Sequence, residues 1–341
     1  MVDPWQVRPV GRTALRVTTL GFGAASIGGL YASVDESDGV DVARYAYEMG
    51  IRYFDVAPMY GYGNSERRLG RALVERPRDS FVLSTKVGRL LRADAPPDPG
   101  QAFDGKNDYY YKGVPPVNPM FDFSRDAILR SVEESLERLG LDRIDILYLH
   151  DPDDHWEQAI GKAYPALHDL RAQGVVGAIG AGMNQAEMLA RFAREGEFDA
   201  FLCAGRYTIL DQVAIRELLP VCVERGISIV IGGVMNSGLL ANPVAGARFN
   251  YLPADEATVA RAQRLKAVCE RFDVPLRAAA MQFPFAHPAV VSVLAGVRTR
   301  QHLDDAAAML EVPLPADLWE ELRREGLIAP EAPTPVAGPA S

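Results

Sequence analysis

The feature that most constrains the fold of this chain is a regular alternation of short apolar segments with longer amphipathic ones. The short segments are rich in β-branched residues and occupy 18–26, 53–56, 81–87, 144–150, 177–182, 199–203, 227–233 and 290–296. Strands that are apolar along their whole length are usually covered on both faces, as in parallel sheets. Ser124 and Gly140 are typical residues for the start and the stop of one intervening helix. Eight strand–helix units predict a closed (β/α)8 barrel.

The main alternative, an open dinucleotide-binding sheet, is disfavoured by the glycines near the first strand. Such a sheet carries the spacing GxGxxG between its first strand and its first helix. The chain instead has Gly21, Gly23, Gly28 and Gly29 in this region, and they do not match that spacing. The closed barrel is therefore the preferred interpretation.

Two segments are added to the regular repeat. Residues 7–19 predict a small β-hairpin that turns at Gly11-Arg12 and could close the floor of the barrel. Residues 88–123 predict a long loop after the third strand, rich in Pro, Gly and aromatic residues. Loops of this length are usually functional or disordered, and the three tyrosines at 109–111 indicate a structured lid.

Composition limits the partners, the compartment and the domain count. The formal net charge is −9 and no basic run occurs, which argues against nucleic acid. The chain has no apolar leader and no run of about 18 apolar residues, so we expect a cytoplasmic protein that does not bind membranes. Cys203, Cys222 and Cys269 lie far apart, which predicts reduced thiols. The Pro- and Ala-rich tail at 329–341 is predicted to be disordered, leaving one domain over 1–328.

Four polar side chains follow the ends of three neighbouring predicted strands. Asp55 closes the second strand, Tyr60 lies in the loop after it, Lys86 closes the third strand and His150 the fourth. The active sites of such barrels lie at these strand ends. Each residue taken singly could have a structural role, such as satisfying a buried charge. Their joint position on adjacent strand ends favours catalysis.

The residue types suit proton transfer. Asp55 and Lys86 should form an ion pair, because either charge alone is costly in an apolar mouth. Lys86 should also stabilise the phenolate of Tyr60, whose ordinary pKa of about 10 is too high for a base at neutral pH. His150 could orient a substrate hydroxyl or carbonyl through a hydrogen bond.

The motifs around these residues closely resemble the aldo-keto reductase superfamily, from Val7 to about Leu310. They read FDVAPMYG, LSTKVG and DILYLHDP. The segments RPVGRTALRVTTLGFGAASIGGLY, FDFSRDAILRSVEESLERLGLDRIDILYLHDPDD and AGRYTILDQ are similar to the branch of D-threo-aldose (L-fucose, galactose) dehydrogenases and pyridoxal 4-dehydrogenase. The resemblance implies that Tyr60 is the general acid/base and that Lys86 tunes its pKa. It also implies that Asp55 is the ion-pair partner of Lys86 and that His150 positions the reacting oxygen.

The resemblance also implies a nicotinamide cofactor. Asn184 matches the family's amide-binding asparagine after the fifth strand, although Met183 replaces the usual serine before it. Ala204 stands where many members have a cofactor-binding glutamine on the sixth strand. The tyrosine that often stacks on the nicotinamide from the seventh strand is replaced by glycine, Gly232 or Gly233.

The pyrophosphate of the cofactor is expected to meet backbone amides in the loop at 234–240 and at the start of the last barrel helix, 296–305. Besides Asn184, the predicted cofactor-binding residues are Arg206, Tyr207, Gly233, Asn236, Ser237, Gly238, Leu240, Gly296, Arg298 and Arg300.

The residues near the expected 2′-position of the adenosine ribose favour NAD, with NADP as the alternative. The family's Lys-Ser…Arg pattern is disrupted, since Gly296-Val297 and His302 occupy its positions. Asp304 and Asp305 would repel a 2′-phosphate, unless they only cap the helix. Arg298 and Arg300 remain as candidate phosphate ligands.

The branch resemblance implies oxidation of a cyclic hemiacetal, an L-fucose or D-threo-aldose type sugar, to its lactone. Tyr31 and Tyr110 are predicted to bind the substrate together with Tyr60 and His150, and Trp156 and the other tyrosines at 109–111 could also line the pocket. Oxidation of pyridoxal, or NADPH-dependent reduction of an aldehyde or ketone, would use the same residues. A cofactor-binding regulatory or scaffold subunit is a further alternative, against which the intact tetrad argues. The sequence does not indicate an oligomeric state.

A metal site is disfavoured. An acidic cluster that follows the fourth strand has a composition that could bind a metal ion. It consists of His150, Asp151, Asp153, Asp154 and His155. Most of the cluster is better interpreted as the exposed start of a loop, with His155 solvated, so no metal ligands are predicted.

Overall fold

A computed structural model describes residues 1–102 and 108–335 of the chain. Its strands are β1 (Val7–Pro9), β2 (Arg16–Thr18), β3 (Leu20–Gly23), β4 (Tyr53–Asp55), β5 (Val82–Val87), β6 (Arg89–Arg92), β7 (Asn118–Phe121), β8 (Ile146–His150), β9 (Ala178–Met183), β10 (Ala200–Ala204), β11 (Ser228–Gly232), β12 (Arg248–Phe249), β13 (Leu252–Pro253) and β14 (Val290–Ala295). The parallel strands β3, β4, β5, β8, β9, β10, β11 and β14 close into a barrel in sequence order, which confirms the predicted fold.

The helices surround this barrel and carry its outer apolar layer. They are α1 (Glu36–Met49), α2 (Asn64–Leu73), α3 (Arg125–Leu139), α4 (Trp156–Gln158), α5 (Tyr164–Ala172), α6 (Glu187–Glu195), α7 (Leu218–Arg225), α8 (Glu256–Arg271), α9 (Leu276–Gln282), α10 (Arg300–Glu311) and α11 (Ala316–Arg324). No helix of the described residues is long and apolar enough to cross a bilayer.

Helix ends follow the local chemistry of the sequence. The Ser124 hydroxyl accepts a hydrogen bond from the Ala127 amide at the start of α3, and Gly140 ends that helix at φ 64°. The single helix expected after the fourth barrel strand is instead interrupted by a π-helical turn, Ala159–Ala163, between α4 and α5. Pro165 stands in the first turn of α5. Because proline has no N–H to donate, the α-helical ladder cannot run unbroken through it.

The predicted N-terminal hairpin is present and covers the amino-terminal end of the barrel. β1 and β2 pair antiparallel, with Val7 opposite Thr18. The first barrel strand is shorter than the predicted 18–26, because the chain leaves the hairpin at Thr18 and then enters β3. The Gly11 amide donates to the Ser228 hydroxyl over 2.7 Å, while Val10 is fully buried against the barrel interior.

The long segment after β5 packs beside the barrel in the part that the structure describes. β6 and β7 pair antiparallel and form a small sheet beside the barrel mouth. Tyr111 is buried and forms a bridge to Leu30, which fixes the described part of the segment against the loop after β3. Residues 103–107 lie outside the described residues.

The C-terminal segment packs on the fold beyond the predicted boundary at Ile328. Ala332 is buried, and Arg323 donates to its carbonyl oxygen over 2.8 Å. The Ala329 amide donates to Gln212 over 3.0 Å. The part of the predicted disordered tail at 336–341 lies outside the described residues.

Candidate active site

The structure brings the four predicted catalytic side chains together at the carboxyl ends of β4, β5 and β8. Lys86 Nζ donates to Asp55 Oδ2 over 2.7 Å and to the Val56 carbonyl over 3.0 Å. The same ammonium lies 4.6 Å from the centroid of the Tyr60 ring. The Tyr60 and His150 rings meet edge to face, with centroids 5.8 Å apart. Asp55 and Lys86 are each only 1% exposed, so their charges are shielded from water and depend on each other.

A second layer of polar side chains lies directly below the catalytic ones. The Ser84 hydroxyl donates to Asp55 Oδ1 over 2.7 Å and lies 3.1 Å from the Tyr53 hydroxyl, which is 3.2 Å from that of Tyr148. The three residues stand two positions before Asp55, Lys86 and His150 on the same strands. Alternation along a strand therefore places them on the same inward face. This layer fixes the Asp55 carboxylate.

Burial controls the ionisation of Tyr60. The loss of water around the hydroxyl, followed by the nearby Asp55 carboxylate, raises the pKa of Tyr60 well above its usual value of 10. Tyr60 is therefore a neutral phenol at pH 7. That the nearby Lys86 ammonium counteracts this rise stays a prediction.

His150 is also neutral. Burial, with the positive charges of Arg89 and Lys86, lowers the pKa of His150 well below 6.5. Its Nδ1 is buried and has no hydrogen-bond partner among the described residues. A neutral imidazole can accept one hydrogen bond and donate another, which suits a residue that positions a substrate oxygen.

The acidic segment after β8 differs from the prediction of an exposed loop with a solvated histidine. Asp153 and Asp154 are exposed as expected, but Asp151 is half-buried and pairs with Arg89 over 2.7 Å. The ring of His155 packs against Phe121, with centroids 5.0 Å apart. Among residues 1–102 and 108–335, no three His, Cys, Asp or Glu side chains are placed to hold a metal ion.

The catalytic side chains open into one cavity at the barrel mouth. It is lined by Leu30, Met59, Tyr60, Lys86, Arg89, Gly100, Gln101, Tyr110, Tyr111, His150, Asp151, Gly182, Met183, Asn184, Leu202, Ala204 and Tyr251. The predicted substrate residue Tyr110 is part of this wall. Tyr31 is not: it lies at the edge and hydrogen-bonds Ser237. Trp156 is buried against Phe192, with centroids 4.6 Å apart, and does not reach the cavity.

Asn184, the predicted amide ligand, lines the cavity but already has a partner. Its side chain is hydrogen-bonded to the Tyr251 hydroxyl. Tyr251 comes from the turn between β12 and β13 and stacks on Tyr110, with centroids 5.4 Å apart. Arg206 does not face the cavity; it donates to the Asn184 carbonyl over 2.6 Å and pairs with Asp211. Arg206 therefore braces the segment that carries Asn184.

Three other predicted cofactor residues, in the loops after β10 and β11, have structural contacts. Tyr207 and Leu240 are completely buried, with Tyr207 packed on Phe283, so their side chains are core residues and not cavity residues. Asn236 accepts a hydrogen bond from the Thr208 hydroxyl over 2.8 Å. This bond ties the loop after β11 to the loop after β10.

The loop after β11 is partly exposed, although the Asn236, Gly238 and Leu240 amides already donate to carbonyl groups within it. Gly233 and Gly238 are exposed, and Ser237 is half-buried. Asn236, Ser237 and Gly238 have consecutive positive φ angles of 46°, 59° and 95°. Asparagine and glycine tolerate this left-handed region, so the conformational strain of the run lies at Ser237.

At the start of α10 the two candidate phosphate ligands differ. Arg300 makes two hydrogen bonds to the carboxylate of Asp41, so its charge is already neutralised. Arg298 is half-buried and forms no ion pair with a described residue; Gly296 beside it is exposed. Thr299 caps the helix by accepting from the His302 amide.

The two aspartates of α10 do not cap the helix. Asp304 accepts from the Tyr45 hydroxyl over 2.8 Å, and Asp305 pairs with Arg277 over 2.8 Å. Neither aspartate stands in the first helical turn. The predicted repulsion of a phosphate is therefore reduced by these partners.

Three residues that contribute to the site were not assigned to it from the sequence. Ser84 could have been found, because it stands two residues before Lys86 on one strand. Arg89 and Tyr251 carried no such signal, since each reaches the cavity through a loop or an added strand whose course depends on distant contacts.

Comparisons with known proteins agree with this geometry. The sequence pattern of the aldo/keto reductase family matches residues 19–325. The chain is 41% identical to pyridoxal 4-dehydrogenase of Microbacterium luteolum, over 94% of this chain and 98% of that protein. It is 44% identical to D-threo-aldose 1-dehydrogenase of a Pseudomonas species, over 94% of this chain and 96% of that protein.

A solved structure has the same architecture. An aldo-keto reductase of Bacillus halodurans, in its holo form, superposes with a TM-score of 0.74 at 26% identity, covering 94% of this chain and 96% of its own. Taken with the matched family pattern and the two sequence identities, this shows that the chain belongs to the aldo/keto reductase family and is an oxidoreductase that uses a nicotinamide cofactor.

Proposed function

We propose that this enzyme oxidises the cyclic hemiacetal of an aldose to its lactone with NAD+. The observation that carries the proposal is the cavity itself, in which Tyr60 and His150 face a wall that holds the charged groups of Arg89 and Asp151. Such a wall suits a hydroxylated ligand better than an apolar aldehyde. The 44% identity to a D-threo-aldose 1-dehydrogenase supports the same substrate class.

Each catalytic side chain has a separate task in this proposal. Tyr60 removes the proton of the anomeric hydroxyl while the carbonyl bond of the lactone forms at C1. Neutral His150 holds the reacting oxygen, and the Lys86 ammonium beside the Tyr60 ring favours the phenolate form that accepts this proton. The oxidised nicotinamide, when bound, supplies the hydride acceptor and a positive charge.

The residues of the cavity around Asn184 suit a nicotinamide. Asn184 offers a side-chain amide that pairs with a carboxamide, once the hydrogen bond with Tyr251 is broken. Gly232 stands at the end of β11, where a side chain would meet Leu202 at 3.0 Å. Arg298, which is half-buried and forms no ion pair with a described residue, would contact the pyrophosphate.

We propose NAD in preference to NADP because the positive charge near the start of α10 is limited. Asp41 neutralises Arg300, which leaves Arg298 as the unpaired candidate of the two. Recognition of a 2′-phosphate normally uses a fork of two or more donors.

The three buried cysteines form no disulfide and suit a reducing compartment, so we propose that the enzyme is cytoplasmic.

Oxidation of pyridoxal is the second candidate. Pyridoxal also forms a cyclic hemiacetal, and the 41% identity to a pyridoxal 4-dehydrogenase favours it. Tyr110, Tyr111 and Tyr251 provide aromatic faces on which a pyridine ring could stack.

A substrate panel tests both candidates. L-fucose, D-arabinose, L-galactose, pyridoxal and propanal are offered with NAD+ or NADP+ (or, for propanal, NADH or NADPH), and turnover is followed by absorbance at 340 nm. We expect the highest kcat/KM for an aldose with NAD+. Activity on pyridoxal alone would replace the aldose with the second candidate, and inactivity on all hemiacetals would contradict both.

A further inference from the structure

An ion pair in the cavity wall has no role in the proton transfer described above. Arg89 Nη2 donates to Asp151 Oδ2 over 2.7 Å, and the same carboxylate oxygen lies 3.7 Å from His150 Nε2. The Arg89 and Asp151 side chains are 5% and 19% exposed, and both line the cavity beside Tyr60.

Two unusual backbone conformations bring this pair into the cavity. Successive strand residues face opposite sides, so a residue that continued β8 after His150 would point away from the barrel interior. Asp151 instead has φ 43°, a left-handed conformation that costs conformational energy for a residue with a side chain. Gly88 has φ 97° just before Arg89, and a Cβ there would lie 2.2 Å from the Phe123 ring.

Stability does not explain the strained conformation of Asp151. Ion pairs taken out of water gain little net stability, because desolvation offsets their attraction. The strain at Asp151 is therefore better explained by a ligand that uses the two charged groups.

Both side chains are held in place before any ligand arrives. The Arg89 guanidinium lies 4.4 Å from the centroid of the Phe121 ring and also donates to the Met59 sulfur. The backbone N–H of Asn184 donates to the Asp151 carboxylate. Since a carboxylate has about four acceptor positions and a guanidinium five N–H donors, the pair retains capacity for more hydrogen bonds.

We propose that Arg89 and Asp151 bind the hydroxyl groups of the substrate next to the reacting carbon and thereby select polyhydroxylated substrates. The pair as a whole is neutral, so it favours neutral hydroxyls over a carboxylate or phosphate group. Asp151 accepts from the hydroxyls and Arg89 donates to their oxygens, which orients C1 beside Tyr60 and His150. This inference rests on the proposed oxidation of an aldose.

The test compares two substrates in the variants Asp151→Asn, Arg89→Met and Arg89→Lys. One substrate is L-fucose, which is oxidised with NAD+. The other is propanal, which has no hydroxyl group and is reduced with NADH. We expect the ratio of kcat/KM for L-fucose to that for propanal to fall about 100-fold in Asp151→Asn and Arg89→Met, mainly through KM for L-fucose. Arg89→Lys keeps the charge, so a smaller fall is expected.

The matched control is Asp169→Asn, which makes the same chemical change in the exposed ion pair with Arg125. It should leave the ratio as in the wild type. An unchanged ratio in the folded Asp151→Asn and Arg89→Met enzymes, with folding checked by thermal melting, overturns the proposal.

A second measurement separates this inference from the proposed function. If the wild type does not oxidise L-fucose, the sugar is tested as a competitive inhibitor of propanal reduction. Inhibition that is lost in Asp151→Asn supports the hydroxyl-binding pair while the proposed oxidation fails. Absence of both turnover and inhibition by L-fucose, D-arabinose and L-galactose contradicts the two proposals together.

Discussion

The strand ends that hold the catalytic side chains and the loops that line the rest of the cavity satisfy their polar groups differently. Asp55, Lys86 and Ser84 bond to one another inside the barrel and are almost completely buried. On the loop side, Asn184 is bonded to Tyr251 and would have to exchange that partner for a ligand. The strand ends are thus built for one chemistry, whereas the loops can change partners.

The largest expected effect concerns the strand-end side. Tyr60→Phe should reduce kcat by about 10³-fold, because it removes the group that carries the proton. Binding of NADH, followed by quenching of protein fluorescence, should change little. The matched control is Tyr62→Phe, a neighbouring tyrosine in the same loop that does not line the cavity. Substantial turnover by Tyr60→Phe would remove Tyr60 from the mechanism.

The pH dependence should differ between the two directions of the reaction. Because burial raises the pKa of Tyr60 well above 10, the phenolate needed for oxidation is a minor form at pH 7. The rate of oxidation at low substrate should therefore rise from pH 7 to pH 10, by up to about tenfold per unit. Reduction needs the phenol and should stay level over the same range. An oxidation rate that does not change between pH 7 and pH 10 would show that the bound cofactor lowers the pKa of Tyr60.

The contrast between buried and exposed pairs can be measured as stability. Lys86→Met leaves the Asp55 carboxylate buried without a cation and should lower the free energy of unfolding by about 3–5 kcal/mol. Arg125→Met, which breaks an exposed pair with Asp169, should cost less than about 1 kcal/mol. Urea unfolding of both variants gives the comparison. Equal losses would mean that the strand-end network does not depend on its charge balance.

The smallest expected effect lies on the loop side. Tyr251→Phe removes the hydroxyl that is bonded to Asn184, so Asn184 should be available to the cofactor at lower cost. We expect the Kd for NADH to fall by up to about fivefold, the equivalent of one net hydrogen bond. Tyr164→Phe, which loses a hydrogen bond with the Glu197 amide far from the cavity, is the control. Weaker binding by Tyr251→Phe would mean that the hydroxyl contacts the cofactor itself.

The same division explains what could be predicted from the sequence. Asp55, Lys86 and His150 were found because strand ends in a barrel converge regardless of the loops between them. Asp151 and Tyr251 reach the cavity through left-handed backbone at φ 43° and 69°, which the residue types do not announce. Tyr207 was placed with the cofactor residues, yet it packs in the core, since the direction of a loop side chain depends on contacts made by other segments.

The N-terminal hairpin gives the two ends of the barrel different roles. With Val10 buried in the barrel and Gly11 bonded to Ser228, the hairpin seals the end opposite the catalytic side chains. The cavity that holds Tyr60 and His150 lies at the other end, among the carboxyl ends of the strands, so the hairpin takes no part in the site and serves only to close the floor of the barrel.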